Sequence, residues 1–157
     1  MADIITVETQ VIPQSGARFA PTANAGEAIT AGQVVYKKKL DGKWYLTAFN
    51  DPETSGQYAL GISVDKAGIG QPLQVQIGGD LRFAPIVGTP PPPLFAAGSI
   101  YVVSDTGGFM VSYLEWTAKT ALRYLSIVGY ATTGTLNFNM DILKWTGVVI
   151  PSGAVTP

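Results

Sequence analysis

Glycine and proline interrupt this chain so often that a long regular helix has little room to form. Eighteen glycines and eleven prolines are distributed along 157 residues. The segments between them are short and rich in Val, Ile, Tyr and Thr. Short β-branched and aromatic runs bounded by turn formers are what the strands of a sandwich or barrel require. The expected fold is therefore all-β, a single barrel or sandwich. The length supports one domain with a sizeable core. Hydrophobic residues make up 46% of the chain and charged residues 13%, against a usual charged share of about a quarter. A disordered chain shows the opposite balance. So few charges leave little to solvate a whole surface, and part of it is expected to be covered by partners.

The first segment, Ile5-Thr6-Val7-Glu8-Thr9-Gln10-Val11, alternates apolar and polar residues as a half-buried strand does. Ile4, Ile5, Val7, Val11 and Ile12 carry its hydrophobic face. Residues 13–26 are rich in Ala, Gly, Ser, Asn and Pro, so this strand is read as an extended arm able to complete a neighbour's sheet. The competing reading pairs it within its own barrel. The expected organisation is an N-terminal arm at 1–28, a β domain at 29–145 and a C-terminal tail at 146–157.

Inside the domain, 33–38 and 43–48 read as a hairpin turning at Asp41-Gly42. Residues 58–64 and 72–77 form a second pair, and Gly78-Gly79-Asp80 is expected to turn the chain into Leu81-Arg82-Phe83. The run Pro90-Pro91-Pro92-Pro93 is a stiff polyproline segment, read as a connector rather than a peptide ligand. The pattern then restarts. Ala31-Gly32-Gln33-Val34-Val35-Tyr36 is matched by Ala97-Gly98-Ser99-Ile100-Tyr101-Val102, and Leu60-Gly61-Ile62-Ser63 by Val128-Gly129-Tyr130-Ala131. Two similar hairpin units are implied, at about 29–88 and 94–145. Leu114, Ala118, Ala121, Leu122 and Leu125 fall at helical spacing, so at most one short helix is expected, at 115–123.

The chain has no histidine and no cysteine. That removes the commonest general base, the commonest metal ligand and the thiol nucleophile together. Most of the acidic residues, including Asp51, Glu53, Asp65, Asp80, Asp105 and Asp141, sit in turn-like contexts where a carboxylate caps its own backbone. Gly68-Ile69-Gly70 lacks the lysine and helix of a phosphate cradle. No catalytic residue, cofactor site or metal site is therefore expected. The net charge is −1, which disfavours nucleic acid as a partner. Lys37, Lys38 and Lys39 read as a solvated strand end. Neither a signal peptide nor an apolar run of the roughly 20 residues that cross a membrane is evident. Trp44 and Tyr45 are neighbours on a strand, so one fills a core while the other is offered outward as an interface anchor. Trp116 is a further candidate contact, although core packing is the commoner role for any single ring.

Ala25-Gly26-Glu27-Ala28-Ile29-Thr30-Ala31-Gly32-Gln33-Val34-Val35-Tyr36, the Asp41-Gly42-Lys43-Trp44-Tyr45 hairpin, Leu60-Gly61-Ile62-Ser63 and Gly70-Gln71-Pro72-Leu73-Gln74-Val75 together resemble the capsid decoration, or cement, proteins of tailed bacteriophages. The resemblance covers about 25–140. It implies a β-rich, often trimeric protein, made in the host cytoplasm and bound to the outside of the virion, where it bridges major capsid protein subunits. The proline run and the Trp116 region depart from the family's pattern. A second reading is a carbohydrate- or receptor-binding β module of a tail fibre; a small carboxylate-based glycosidase is more distant.

Overall fold

The computed structural model describes residues 10–47, 60–84, 95–96, 98–103, 108, 110–117, 123–124, 127–132, 137–140 and 149–150. Strand is the dominant element among them. In the N-terminal part the strands are β1 (Gln10–Pro13), β2 (Arg18–Phe19), β3 (Ala23–Asn24), β4 (Val34–Lys37), β5 (Trp44–Leu46), β6 (Leu60–Ser63), β7 (Pro72–Leu73) and β8 (Val75–Ala84). Beyond them come β9 (Ile100–Val103), β10 (Met110–Ser112), the one-turn helix α1 (Tyr113–Thr117), β11 (Arg123–Tyr124), β12 (Ile127–Ala131), β13 (Asn137–Met140) and β14 (Val149–Ile150).

The main sheet is antiparallel and follows the order β10-β9-β12-β13-β8-β6-β4-β5, with β1 and β2 also joined to β8. That order is a palindrome of connectivity. In the first half β4 pairs with β5 and β6, and β6 pairs with β8. In the second half β9 pairs with β10 and β12, and β12 pairs with β13. The loop bonds repeat as well. Gly32 N–H donates to Ser63 O and Ser63 N–H to Gln33 O, while Gly98 N–H donates to Ala131 O and Ala131 N–H to Ser99 O. Gly61 lies opposite Val35 and Gly129 opposite Tyr101. A side chain at either glycine would run into the next strand, at Val75 and Gln76 in one half and at Phe138 and Asn139 in the other.

Strand β8 joins the halves. Gln76 is paired with β2 on one side and β6 on the other, and Leu81 and Arg82 with β1 and β13. The turn expected at 78–80 is not there: one ten-residue strand runs straight through it. Gly78 and Gly79 form a bend instead. Gly79 has φ 83°, and a side chain on it would strike the backbone of Gly16 and Ala17. The register against β2 shifts at this point. In an uninterrupted strand alternate residues share a face, yet Val75 and Ile77 pack in one cluster and Leu81 and Phe83 in another. The bend exchanges the faces. Gln76, fully buried, spans it by donating from Nε2 to the carbonyls of Gly78 and Asp80, each at 3.0 Å.

Two hydrophobic cores result. The larger unites both halves and includes Val34, Tyr36, Ile62, Leu81, Phe83, Tyr101, Val111, Trp116 and Phe138. At its centre Phe95 meets Phe83, Tyr101 and Phe138, each at 5.2 Å between ring centroids, spacings at which tilted rings attract. The smaller core, with Ala25, Ile29, Val35, Trp44, Ala67, Leu73 and Val75, lies on the opposite face of the β4–β5–β6 sheet.

These facts revise the expected boundaries. Residues 10–28 belong to the β domain: β1 lies along β8 with Val11 opposite Phe83 and 5% exposed. β2 pairs with β8 and β3 with β7, and Ala25 is buried in the smaller core. The physical reason is that the 13–26 stretch, though rich in turn formers, supplies the small apolar residues that cover the face of β4 and β5. The helix is a single turn beginning at Tyr113, and Arg123 stands in a strand rather than at a helix end. Within the expected tail, β14 pairs with β11. The proline run lies outside the described residues.

The two ends of the strand order are clasped. Gly108, just before β10, accepts from Val34 N–H and donates to Thr47 O, both at 2.9 Å, so the sheet curls back toward β4 and β5. Gly108 has φ 79°, and a Cβ there would sit 2.8 Å from Leu46 Cδ2 and 3.3 Å from Gln33 Cβ. Gly108→Ala is expected to cost about 2–3 kcal/mol. Gly70→Ala, at φ 80° with open space around it, is expected to cost about 1 kcal/mol. Urea denaturation compares the pair; equal losses would show that the clasp contributes nothing beyond its backbone angle.

Candidate functional site

The described carboxylates are engaged in structural bonds. Glu27 Oε2 accepts from Leu46 N–H at 2.9 Å, Asp65 Oδ1 from Gln74 N–H at 3.1 Å, and Asp80 Oδ1 from Asn139 Nδ2. Among the described residues no group of three acidic, histidine or cysteine side chains is arranged to hold a metal. No helix among them is long and apolar enough to cross a membrane.

The sequence-derived contact residues that the structure describes are dispersed. Ile4, Ile5 and Val7 lie outside the described residues. Val11 is in the larger core and Ile12 is half-buried opposite Arg82. Trp44 and Trp116 are fully buried, in different cores, so neither ring is offered to a partner. Trp44 is inward because the 20–30 segment covers the face that an open strand would have exposed. Tyr45 does face the other way, as alternation requires, but it is half-buried against the larger core. The described ones, Val11, Ile12, Trp44, Tyr45 and Trp116, do not form one contact surface.

What the structure does build is the β4–β5 hairpin. Its turn closes with Gly42 N–H donating to Lys38 O at 2.8 Å and Lys38 N–H to Lys43 O at 2.9 Å. Only Gly42 of the Asp41-Gly42 pair has positive φ, at 69°, so this is a longer loop than the two-residue turn the dipeptide suggests. Asp41 braces it: Oδ2 accepts from the Tyr45 hydroxyl at 2.6 Å and Oδ1 from Lys43 N–H at 3.0 Å. The Tyr45 bond, then the Lys43 amide, hold the Asp41 carboxyl below its usual 3.8. The same bond to Asp41 pushes the Tyr45 hydroxyl above 10.0. The Lys37 ammonium lies 6.0 Å from the Trp44 ring centroid and that of Lys38 5.1 Å from the Tyr45 ring, within cation–π range. At the tip Leu40 is 87% exposed.

The hairpin's outer edge is shielded. Ala25 bridges Trp44, Gly26 N–H donates to Trp44 O at 2.8 Å, and the Glu27 carboxylate takes the next free N–H, that of Leu46. A covered edge does not recruit another strand. Sequence reading found the lysines but took them as a solvated strand end. It missed Leu40, whose signal was an apolar residue at a position that turns usually give to a polar one. Compared with protein-family models and with curated proteins, the chain has no match.

Two measurements follow from this geometry. Trp44→Ala should lower stability by about 3–5 kcal/mol, the cost of emptying a large buried site, whereas a ring serving only as an external contact would cost far less. Tyr45→Phe should raise the Asp41 titration midpoint toward 3.8, read by carboxyl carbon NMR. Because the folded Asp41 value is depressed, its contribution is present above 3.8 and is lost as pH falls through the folded midpoint. An unmoved midpoint would mean that the hydroxyl does not hold the carboxylate.

Proposed function

We propose that this chain is a structural virion protein that binds the outside of a phage capsid and stabilises the shell by bridging major capsid protein subunits. The observation that carries the reading is the pair of motifs at 31–36 and 97–102, which resemble those of decoration proteins and whose strands, β4 and β9, hold equivalent places in the strand order. A protein that opposes outward pressure must itself resist deformation. A strand bonded on both sides and a sheet clasped end to end suit that role. Holding power then comes from modest contacts summed over many copies, which a homo-oligomer, with a trimer as the resemblance implies, multiplies further.

The role is non-catalytic in this reading, which rests on the absence of histidine and cysteine from the sequence. A glycan-binding module groups several exposed rings on one face. Here the exposed rings among the described residues, Phe19, Tyr113 and Tyr130, stand on three separate elements, which favours the shell reading over the tail-fibre one.

Empty shells of the phage that encodes the chain provide the test. Purified protein is expected to co-sediment with them saturably and to raise the temperature at which they rupture, and light scattering should give an oligomer. Failure to co-sediment, together with a monomer mass in solution, would defeat the proposal.

A further inference from the structure

The β4–β5 hairpin concentrates charge in a way the composition conceals. Lys37, Lys38, Lys39 and Lys43 are four of the chain's ten Lys and Arg residues, set against Asp41 alone, while the whole chain carries −1. The remainder of the protein is therefore net acidic and this hairpin is its cationic outpost. Asp41 is taken up by the Tyr45 hydroxyl and the Lys43 amide. Lys39 and Lys43 are exposed, and Lys37 and Lys38 are half-exposed with their ammonium groups over the Trp44 and Tyr45 rings.

Leu40 stands among them at 87%, the highest exposure of any large hydrophobic side chain described. A single exposed leucine is ordinary. A leucine at the tip of a braced hairpin that also carries four lysines has the composition of an interface: an apolar anchor with a charged rim.

We propose that this tip docks onto an acidic protein surface, Leu40 entering an apolar recess while Lys37, Lys38, Lys39 and Lys43 face carboxylates around it. Charge complementarity selects the partner. Nucleic acid fits less well, because neutralising successive phosphates needs an extended basic track, and here one hairpin rises from a net acidic body with an apolar residue at its centre. The brace explains how a turn keeps the anchor in place: the Asp41 bonds and the 25–27 cover fix the hairpin before a partner arrives, so less ordering is required on binding. This inference rests on the shell-binding reading, in which the acidic surface belongs to the major capsid protein.

The experiment is co-sedimentation with empty shells at about 0.05 and 0.5 M NaCl, a range over which screening removes most exposed charge attraction. Wild type is compared with Leu40→Ser, with the double variant Lys39→Gln/Lys43→Gln, and with Lys66→Gln, an exposed lysine in another loop. Unchanged unfolding midpoints establish that the variants fold. Leu40→Ser should weaken binding about tenfold or more. The lysine pair should weaken it about tenfold at low salt and flatten the salt dependence. Lys66→Gln should stay within about twofold of wild type. Hairpin variants that bind as wild type does, with the same salt dependence, would overturn the docking inference and leave shell binding standing. Wild type that binds no shell at either salt would overturn both. Equally tight binding to a DNA duplex of about 20 base pairs, lost in the lysine variant, would reassign the hairpin to nucleic acid and overturn the proposal.

Discussion

Strand β8 is hydrogen-bonded on both sides, to β1 and β2 along one and to β6 and β13 along the other, and both halves of the molecule grow outward from it. A strand held in this way satisfies its backbone groups without solvent, so it can lie at the centre of the fold. Its bend at Gly78 and Gly79 directs Val75 and Ile77 to one core and Leu81 and Phe83 to the other. A bend of this kind puts buried carbonyls at risk of losing partners. The Gln76 amide donates to the carbonyls on either side of Gly79, that of Gly78 and that of Asp80, the latter also bonded by Gln14 N–H. Strand, bend and glutamine act as one device.

Closure follows from the same logic. A sheet grown outward from a central strand ends in two edges, and unpaired edges invite pairing with other chains. One edge, β5, is covered by Ala25, Gly26 and the Glu27 carboxylate. The opposite end is drawn back through Gly108 onto Val34 and Thr47. The segment that covers β5 also makes the smaller core, so edge protection and burial of Trp44 have one cause. For a protein proposed to bridge other subunits this separation matters. Contacts to partners can then be carried by side chains on a finished scaffold, not by strand exchange.

The halves share topology but not environment. Val34 and Ile62, an opposed pair in the first half, are fully buried, whereas the corresponding opposed pair Ile100 and Tyr130 is 47% and 40% exposed. Equivalent positions thus face a core in one half and solvent in the other. The two halves share one hydrogen-bonding plan, and the packing of one half on the other decided which face of each was covered.

Strand content, the 34–46 hairpin, the pairing of 60–63 with 75–76 and the matched motifs of the two halves were all legible from alternation and glycine placement, because period-two patterning and turn chemistry are local properties of the chain. The fate of particular residues was not. That Trp44 is covered by the 20–30 segment, that 10–13 lies on β8 instead of reaching outward, and that 78–80 continues a strand instead of turning all depend on partners distant in sequence. Phe95, isolated after the proline run, gave no local sign that three rings would surround it. Alternation states which residues share a face; only long-range packing states which face is buried. The amino-acid order alone therefore determined an all-β architecture of two similar units without histidine or cysteine chemistry. The tertiary structure decided the edges, the clasp, the exchange of faces along β8, and the exposure of Leu40 among its lysines.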